Sequence, residues 1–290
     1  MNSPFDLATP EFYARWRDWK LSNAPRSAAD LIVEVNDPRT LTPSEHAALL
    51  ERTRRCNMAV YAGKALEADN GIPRALARQF GLEHLDANWL ADEDGISEIQ
   101  VNSGGTRRDY IPYTDKPIRW HTDGYYNPPQ RTIRGMVLHC VRSAAEGGEN
   151  RLMDHEMAYL LLRDENPEHI RALMQPDAMT IPERVDETDG VRPEQVGPVF
   201  SLNPDGSLHM RYTARTRSIV WKQDAVTRAA VAALEKILAA ELPHIYLLKL
   251  EPGMGLLCNN VLHDRAAFSD DPARTRLLYR ARYYDRISEN

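Results

Sequence analysis

The segment Arg276-Leu277-Leu278-Tyr279-Arg280-Ala281-Arg282-Tyr283-Tyr284 alternates with a period of two. Arg276, Arg280 and Arg282 occupy even positions, and Leu277, Tyr279, Ala281 and Tyr283 occupy odd ones. Successive side chains of a strand point to opposite faces, so the arginines share one face and the largely apolar set takes the other. Such a segment folds as a strand with at least one buried face. What the arginine face does stays open at this point. It is either solvated, or it holds anions, because guanidinium forks pair bidentately with carboxylates and keep their charge. Leu278 and Tyr284 lie on the same face and make it less purely polar.

Further runs of the same kind follow Gly95: Glu98 to Val101, Ile133 to Val141, Val199 to Leu202, Leu208 to Tyr212, Tyr246 to Leu250 and Gly255 to Cys258. Gly, Pro, Asn and Asp separate many of them, the spacing of an antiparallel β-sandwich or barrel. Earlier in the chain, Leu31 to Val35 and Met58 to Tyr61 read as short strands. Helices flank this core. Phe12, Trp16 and Trp19 mark one around Glu11 to Leu21, within an N-terminal arm of about residues 1–26. Thr42-Pro43-Ser44-Glu45 combines an N-cap, a proline at the first helical position and an acid three residues after the cap, so a helix runs from there to about Asn57. Others are expected over 73–81, after the cap Asp154, from Asn166-Pro167-Glu168, and over Ala225 to Ala240. With no convincing linker, residues 1–290 read as one mainly β domain with flanking helices.

Composition narrows the function classes. The 36 basic and 42 acidic side chains give a net charge of −6, against the basic footprint of a nucleic-acid or anionic-membrane binder. Cys56, Cys140 and Cys258 form no Cys-x-x-Cys pair, so a reducing cytoplasm is the expected compartment. The start MNSPFDLATPEFYARWRDWK lacks the apolar centre of a secretion signal, and no run approaches the length of a membrane span.

RWHTDGYYNPP places His121 and Asp123 two residues apart. A mononuclear iron(II) oxygenase needs two imidazoles and a carboxylate on one side of the metal, leaving adjacent positions open. At a strand end His121 and Asp123 face the same way and can supply two of these ligands. The third lies elsewhere. His46, His155 and His169 sit on expected helices or their starts, and His84 lies near a helix end. His139 and His209 fall in β-type runs as candidate core residues, His244 is a further possibility, and His263 stands just beyond an expected strand in CNNVLHDRAAF. Spacing alone does not choose among them.

Four separated segments, in order, resemble the TauD/TfdA-type (taurine dioxygenase-like) family of Fe(II)- and 2-oxoglutarate-dependent oxygenases. They are RWHTDGYY, AAEGGENRLMDHEMAY, NNVLHDRAAF and ARTRLLYRARYYD, covering about Trp120 to Tyr284. The resemblance implies a double-stranded β-helix, a jelly roll of the clavaminate synthase-like kind. It implies His121, Asp123 and His263 as metal ligands, and Arg276 as partner of the distal carboxylate of 2-oxoglutarate. Arg280 matches a position that in some members contacts the other carboxylate or an anionic substrate. Asn150 stands where members often carry Thr or Ser, and its amide can also donate a hydrogen bond. Asp123 departs from the family halogenases, where a small residue replaces the carboxylate, so hydroxylation-type chemistry is implied.

The activity implied is oxidation of a small metabolite with O2, coupled to decarboxylation of 2-oxoglutarate to succinate. Arginine-rich segments suggest that the metabolite is anionic. Tyr110, Tyr113, Tyr125, Tyr126 and Asn127 lie near the first ligand pair and are candidates for its pocket, as are Arg280 and, from HMRYTARTRSIVW, Arg211 with Arg215 and Arg217. Each has an ordinary structural alternative. Similar enzymes are usually dimers or tetramers, so a homo-oligomer is expected. The competing class is a β-helix protein that binds a small ligand or partner without turnover.

Overall fold

The computed structural model describes residues 3–86, 95–101, 110–186, 190–271 and 273–288. Ten strands build two sheets: β1 Ile32–Glu34, β2 Met58–Ala62, β3 Ser97–Ile99, β4 Ile118–His121, β5 Gly135–Arg142, β6 Asn150–Met153, β7 Tyr246–Leu248, β8 Met254–Cys258, β9 Leu262–Arg265 and β10 Leu277–Tyr283. The larger sheet has the order β1-β2-β8-β5-β10-β3 and the smaller β7-β6-β9-β4. All pairings within them are antiparallel except β1 with β2.

The two sheets face each other. Met58, Val60, Met136, Leu138, Cys140, Leu256, Cys258 and Leu278 of the larger sheet pack with Leu152, Tyr246 and Leu248 of the smaller. Six α-helices among the described residues cover the outer faces: α1 Pro10–Asn23, α2 Pro43–Cys56, α3 Ile72–Arg78, α4 His155–Glu165, α5 Pro167–Leu173 and α6 Ala225–Ala239. Leu49 and Leu50 of α2 and Leu76 and Ala77 of α3 pack on the back of the larger sheet. α4, α5 and α6 contribute Leu160, Ile170 and Leu234 to a cluster with Trp120, Met153 and Leu262 behind the smaller one. No helix among the described residues is long and apolar enough to cross a membrane.

Local chemistry explains the helix ends. Thr42 accepts from the Glu45 N–H (3.3 Å) while the Glu45 carboxylate accepts from the Thr42 N–H (2.7 Å), and Asn57 stops α2 in the left-handed region at φ 59°. The N-terminal arm is tied down by Lys20. Its buried ammonium lies 2.6 Å from Asp154 and 2.5 Å from Glu156, at the start of α4. A lysine buried this deeply is tolerated because two carboxylates replace its water.

In β10 the odd residues Leu277, Tyr279, Ala281 and Tyr283 pack in the cluster formed by α2 and α3. The even residues therefore point toward the smaller sheet, where Leu278 joins the inter-sheet core. Arg276 is only 5% exposed and Arg282 only 3%, so the arginine face is not solvated. The space between the sheets is thus apolar at one end and charged at the other.

The structure adds one strand. His263 stands beyond β8, as expected, but inside a further strand, β9, which the left-handed residue Asn260 (φ 51°) separates from β8. The polar string Asn259-Asn260-Val261-Leu262-His263-Asp264-Arg265 hides this strand, because nearly all of it is buried and no alternation shows. Small antiparallel pairs also went unexpected, among them Glu146–Gly147 with Phe268–Ser269, Met179–Ile181 with Gln195–Gly197, and Arg184–Asp186 with Gly190–Arg192.

Candidate metal centre

Strands β4 and β9 are neighbours, and their register sets His121 directly opposite His263. Side chains at paired positions of an antiparallel ladder lie on the same face, which leaves the two imidazole centroids 4.2 Å apart. Past His121 the chain leaves the strand. The Thr122 N–H donates to the Tyr212 carbonyl (3.0 Å), and the Thr122 hydroxyl accepts from the Tyr212 N–H (3.1 Å). Gly124 supplies the positive φ (67°) of the turn that follows. Between them Asp123 is locked by Asn260. The Asp123 N–H donates to the Asn260 side-chain oxygen (2.7 Å), and the Asn260 amide donates back to the Asp123 carbonyl (2.9 Å) and to that of Ile133 (2.8 Å). The turn leading into His263 therefore fixes the turn bearing Asp123. One atom each from His121, Asp123 and His263 lies within 4.8 Å of the others.

The protonation states suit a cation. Nδ1 of His121 lies 3.0 Å from the Arg119 carbonyl and Nδ1 of His263 lies 2.9 Å from that of Val261. A carbonyl only accepts, so each Nδ1 carries the proton and each Nε2 keeps its lone pair. Burial, then the neighbouring His121, push the His263 imidazole down to about 4. Asp123 is 5% exposed. Burial works against its charge, but the charge of Arg280, with help from His121 and Arg282, holds its carboxyl well below the usual range. Arg280 Nη1 lies 3.1 Å from Asp123 Oδ2 and 3.5 Å from Oδ1 but hydrogen bonds only to Oδ1. Oδ2 is buried with no hydrogen-bond partner. Two imidazoles with Nε2 turned toward a carboxylate that keeps an unsatisfied oxygen form the donor set a divalent first-row metal takes, so the residues present fit one.

Arg276 is the second unsatisfied group. Its guanidinium lies 5.0 Å from the Phe268 ring, its Nη1 is buried without a partner, and burial lowers its pKa below that of a free arginine. A buried cation of this kind costs free energy unless an anion pairs with it. The wall beside it is the Gly147–Gly148 turn. A Cβ at Gly147 would come within 2.3 Å of the Ala267 carbonyl, and one at Gly148 would lie 3.8 Å from Arg276 Nε. Asn150 is tied elsewhere: its amide donates to the Asp264 carbonyl at 2.6 Å. Arg280, expected to face cosubstrate or substrate, spends Nη1 on Asp123 and keeps a buried, unpaired Nε.

The remaining candidates separate. Tyr125 and Tyr126 meet edge to face at 5.2 Å, and Arg192 lies over Tyr126 at 4.8 Å. Tyr110 lies under Arg184 at 4.8 Å. The Tyr126 hydroxyl accepts from Arg282 (3.1 Å), whose other nitrogen donates to Asp86 (2.6 Å). Asp86 also accepts from Arg131 (2.7 Å) and Tyr284 (2.6 Å). Nothing in its sequence surroundings marked this buried hub.

Two candidates leave the substrate set. The Asn127 side chain donates to the Arg131 carbonyl (2.8 Å) and closes its own turn. Arg211 donates to the carbonyls of Tyr125 (2.8 Å), Gln195 (2.7 Å) and Met179 (3.3 Å), so it is a strut between three segments. Burial pushes its guanidinium down to about 10. Arg211→Leu should therefore lower stability by about 2–4 kcal/mol, since three partly buried carbonyls lose a charged donor. Urea unfolding measures this; an unchanged midpoint would show that the strut carries no load.

Comparisons with known proteins follow the same lines. The family described as taurine catabolism dioxygenase TauD, TfdA family matches residues 23–282. A uridine-5'-phosphate dioxygenase from Amycolatopsis sp is 31% identical over 169 residues, 57% of this chain and 60% of that protein. Another, from Streptomyces sp, is 31% identical over 213 residues, 71% of this chain and 76% of that protein. Among solved structures, an asparagine oxygenase in complex with Fe(II), 3-hydroxyasparagine and succinate aligns with a TM-score of 0.58 at 15% identity, covering 92% of this chain and 89% of that one. The likeness is one of fold, the double-stranded β-helix.

Proposed function

The chain belongs to the taurine catabolism dioxygenase TauD, TfdA family, and from that premise we propose that it is an Fe(II)- and 2-oxoglutarate-dependent dioxygenase oxidising a small, anionic metabolite. The observation that carries the reading is the convergence of His121, Asp123 and His263 within 4.8 Å, each imidazole held through Nδ1 with its Nε2 turned toward Asp123. These three would hold the iron. Iron bound there supplies the coupling of O2 reduction and 2-oxoglutarate decarboxylation to substrate oxidation.

This chain's own residues do the rest. Arg276 offers a buried, unpaired nitrogen to the distal carboxylate of 2-oxoglutarate. In a site shielded from water that pairing is stronger than it would be at the surface. Arg280 keeps Asp123 ionised, and Asn260 fixes the direction in which its carboxylate points. The presence of a carboxylate at position 123 favours hydroxylation as the outcome. The two dioxygenase relatives named for uridine-5'-phosphate support a phosphorylated nucleoside as the kind of anionic substrate. Three buried free cysteines fit a reducing cytoplasm, and the exposed Val185, Val191, Val196 and Val220 offer apolar surface to a second copy in a dimer or tetramer.

Succinate release tests the reading. The wild-type protein with Fe(II), O2 and 2-oxoglutarate should form succinate slowly alone and faster with its substrate. No succinate under any addition, with ligand binding intact, would leave the non-catalytic binding protein as the account.

A further inference from the structure

Three arginines from two separate segments flank the Tyr125–Tyr126 pair: Arg192 lies over Tyr126, and Arg215 and Arg217 follow Thr213, which pairs with His121. Arg192 ends the short strand Gly190–Arg192 and lies 4.8 Å over the Tyr126 ring, with its Nε buried and unpaired. The Arg215 side chain interacts with the Tyr125 phenol, while its backbone N–H donates to the Thr213 hydroxyl at 3.3 Å. Arg217 follows two residues on, exposed in the single helical turn Thr216–Ser218, and its like charge, after burial, lowers the Arg215 guanidinium. Among the described side chains no carboxylate pairs with Arg192, Arg215 or Arg217. Cations normally avoid such company unless something anionic joins them.

The cluster is also tied to the metal centre. Thr213, two residues before Arg215, bridges to His121 across a β-contact. Tyr126 follows Asp123 by three residues and is held by Arg282, whose charge Asp123 feels. Arg211 fixes the spacing between the two segments by bonding the carbonyls of Tyr125 and Gln195. The arginines therefore form a lip on rigid supports next to the reacting position. One guanidinium fork satisfies a carboxylate, whereas several unpaired cations suit a dianion with three strong acceptor oxygens.

We propose that Arg192, Arg215 and Arg217 form the subsite for the phosphate of a phosphate-monoester substrate, held above Tyr125 and Tyr126 beside the metal centre. The proposal rests on the dioxygenase reading and deepens it: the phosphate anchors the molecule at the lip and leaves its organic part to reach the iron. It departs from the expectation that Arg280 meets the anionic substrate, because Arg280 is engaged with Asp123.

Calorimetric titration of the purified protein tests this without turnover, using uridine 5'-monophosphate and uridine as probes. The phosphate form should bind at least about tenfold tighter than uridine. Arg192→Gln and Arg217→Gln should each remove about tenfold of that preference while leaving uridine binding alone. Arg217 is exposed, so its variant reports on binding rather than folding. Equal binding of the two probes, no binding of either, or variants that keep the full preference would overturn the proposal. Wild-type succinate release separates the two claims. Succinate without phosphate-dependent binding sinks the subsite alone, and phosphate-dependent binding without succinate sinks the dioxygenase reading alone.

Discussion

His121→Ala protein folds, loses iron, and releases succinate from 2-oxoglutarate at least about 100-fold more slowly than the wild type. Groups that merely support a metal ligand commonly contribute 10- to 100-fold, so that range is a floor for a ligand itself. The substitution is clean in structural terms. The His121 backbone keeps its pairing with β9, and the ring gives up the Arg119 carbonyl and its approach to Asp123. What disappears is one of the two imidazoles facing Asp123, 3.5 Å from its carboxylate. Iron content after anaerobic loading and succinate release should fall together while thermal unfolding stays close to wild type. Unchanged succinate release would place the metal centre elsewhere in the chain.

Arg276→Ala separates the cosubstrate from the metal. Iron should be retained, because Arg276 makes no contact with His121, Asp123 or His263 among the ion pairs and hydrogen bonds present. The concentration of 2-oxoglutarate needed for half-maximal turnover should rise about 30-fold or more. Removing one partner of a buried, hydrogen-bonded charge pair costs about 2–5 kcal/mol, and each 1.4 kcal/mol is tenfold. Arg276→Lys should recover part of this, as a point charge lacks the fork that matches a carboxylate. An unchanged requirement would mean that another cation does this work. Arg274 is exposed and Arg280 is engaged with Asp123, so the structure offers no better-placed arginine on that strand.

Much of this architecture is legible in the amino-acid sequence. The period-two pattern of β10 names the strand, sorts its residues onto two faces and puts Arg276 with Arg280 and Arg282. Its weakness is equally physical. Alternation says that two faces differ, not which one is buried. Burial of the arginine face depends on a second sheet lying opposite, and that is a long-range fact. The cap at Thr42 is legible because capping is local chemistry within four residues. β9 was not legible as a strand, since a segment buried on both sides carries no alternation. The pairing of His121 with His263 follows from that strand's register and is invisible in the one-dimensional pattern. Arg211 shows the opposite failure. An arginine among arginines looks like part of a ligand site, yet three backbone carbonyls from distant segments consume its donors. Asp86 likewise becomes important only where Arg131, Arg282 and Tyr284 meet around it.

The central claim is that one site holds iron and 2-oxoglutarate together. Addition of 2-oxoglutarate to the Fe(II)-loaded protein without oxygen tests it directly, read as visible absorbance. The wild type should develop an iron-dependent band that saturates at one 2-oxoglutarate per chain. The His121→Ala protein should develop none, and the Arg276→Ala protein the same band only at far higher 2-oxoglutarate. Wild-type protein that retains iron yet gives no band would contradict the account.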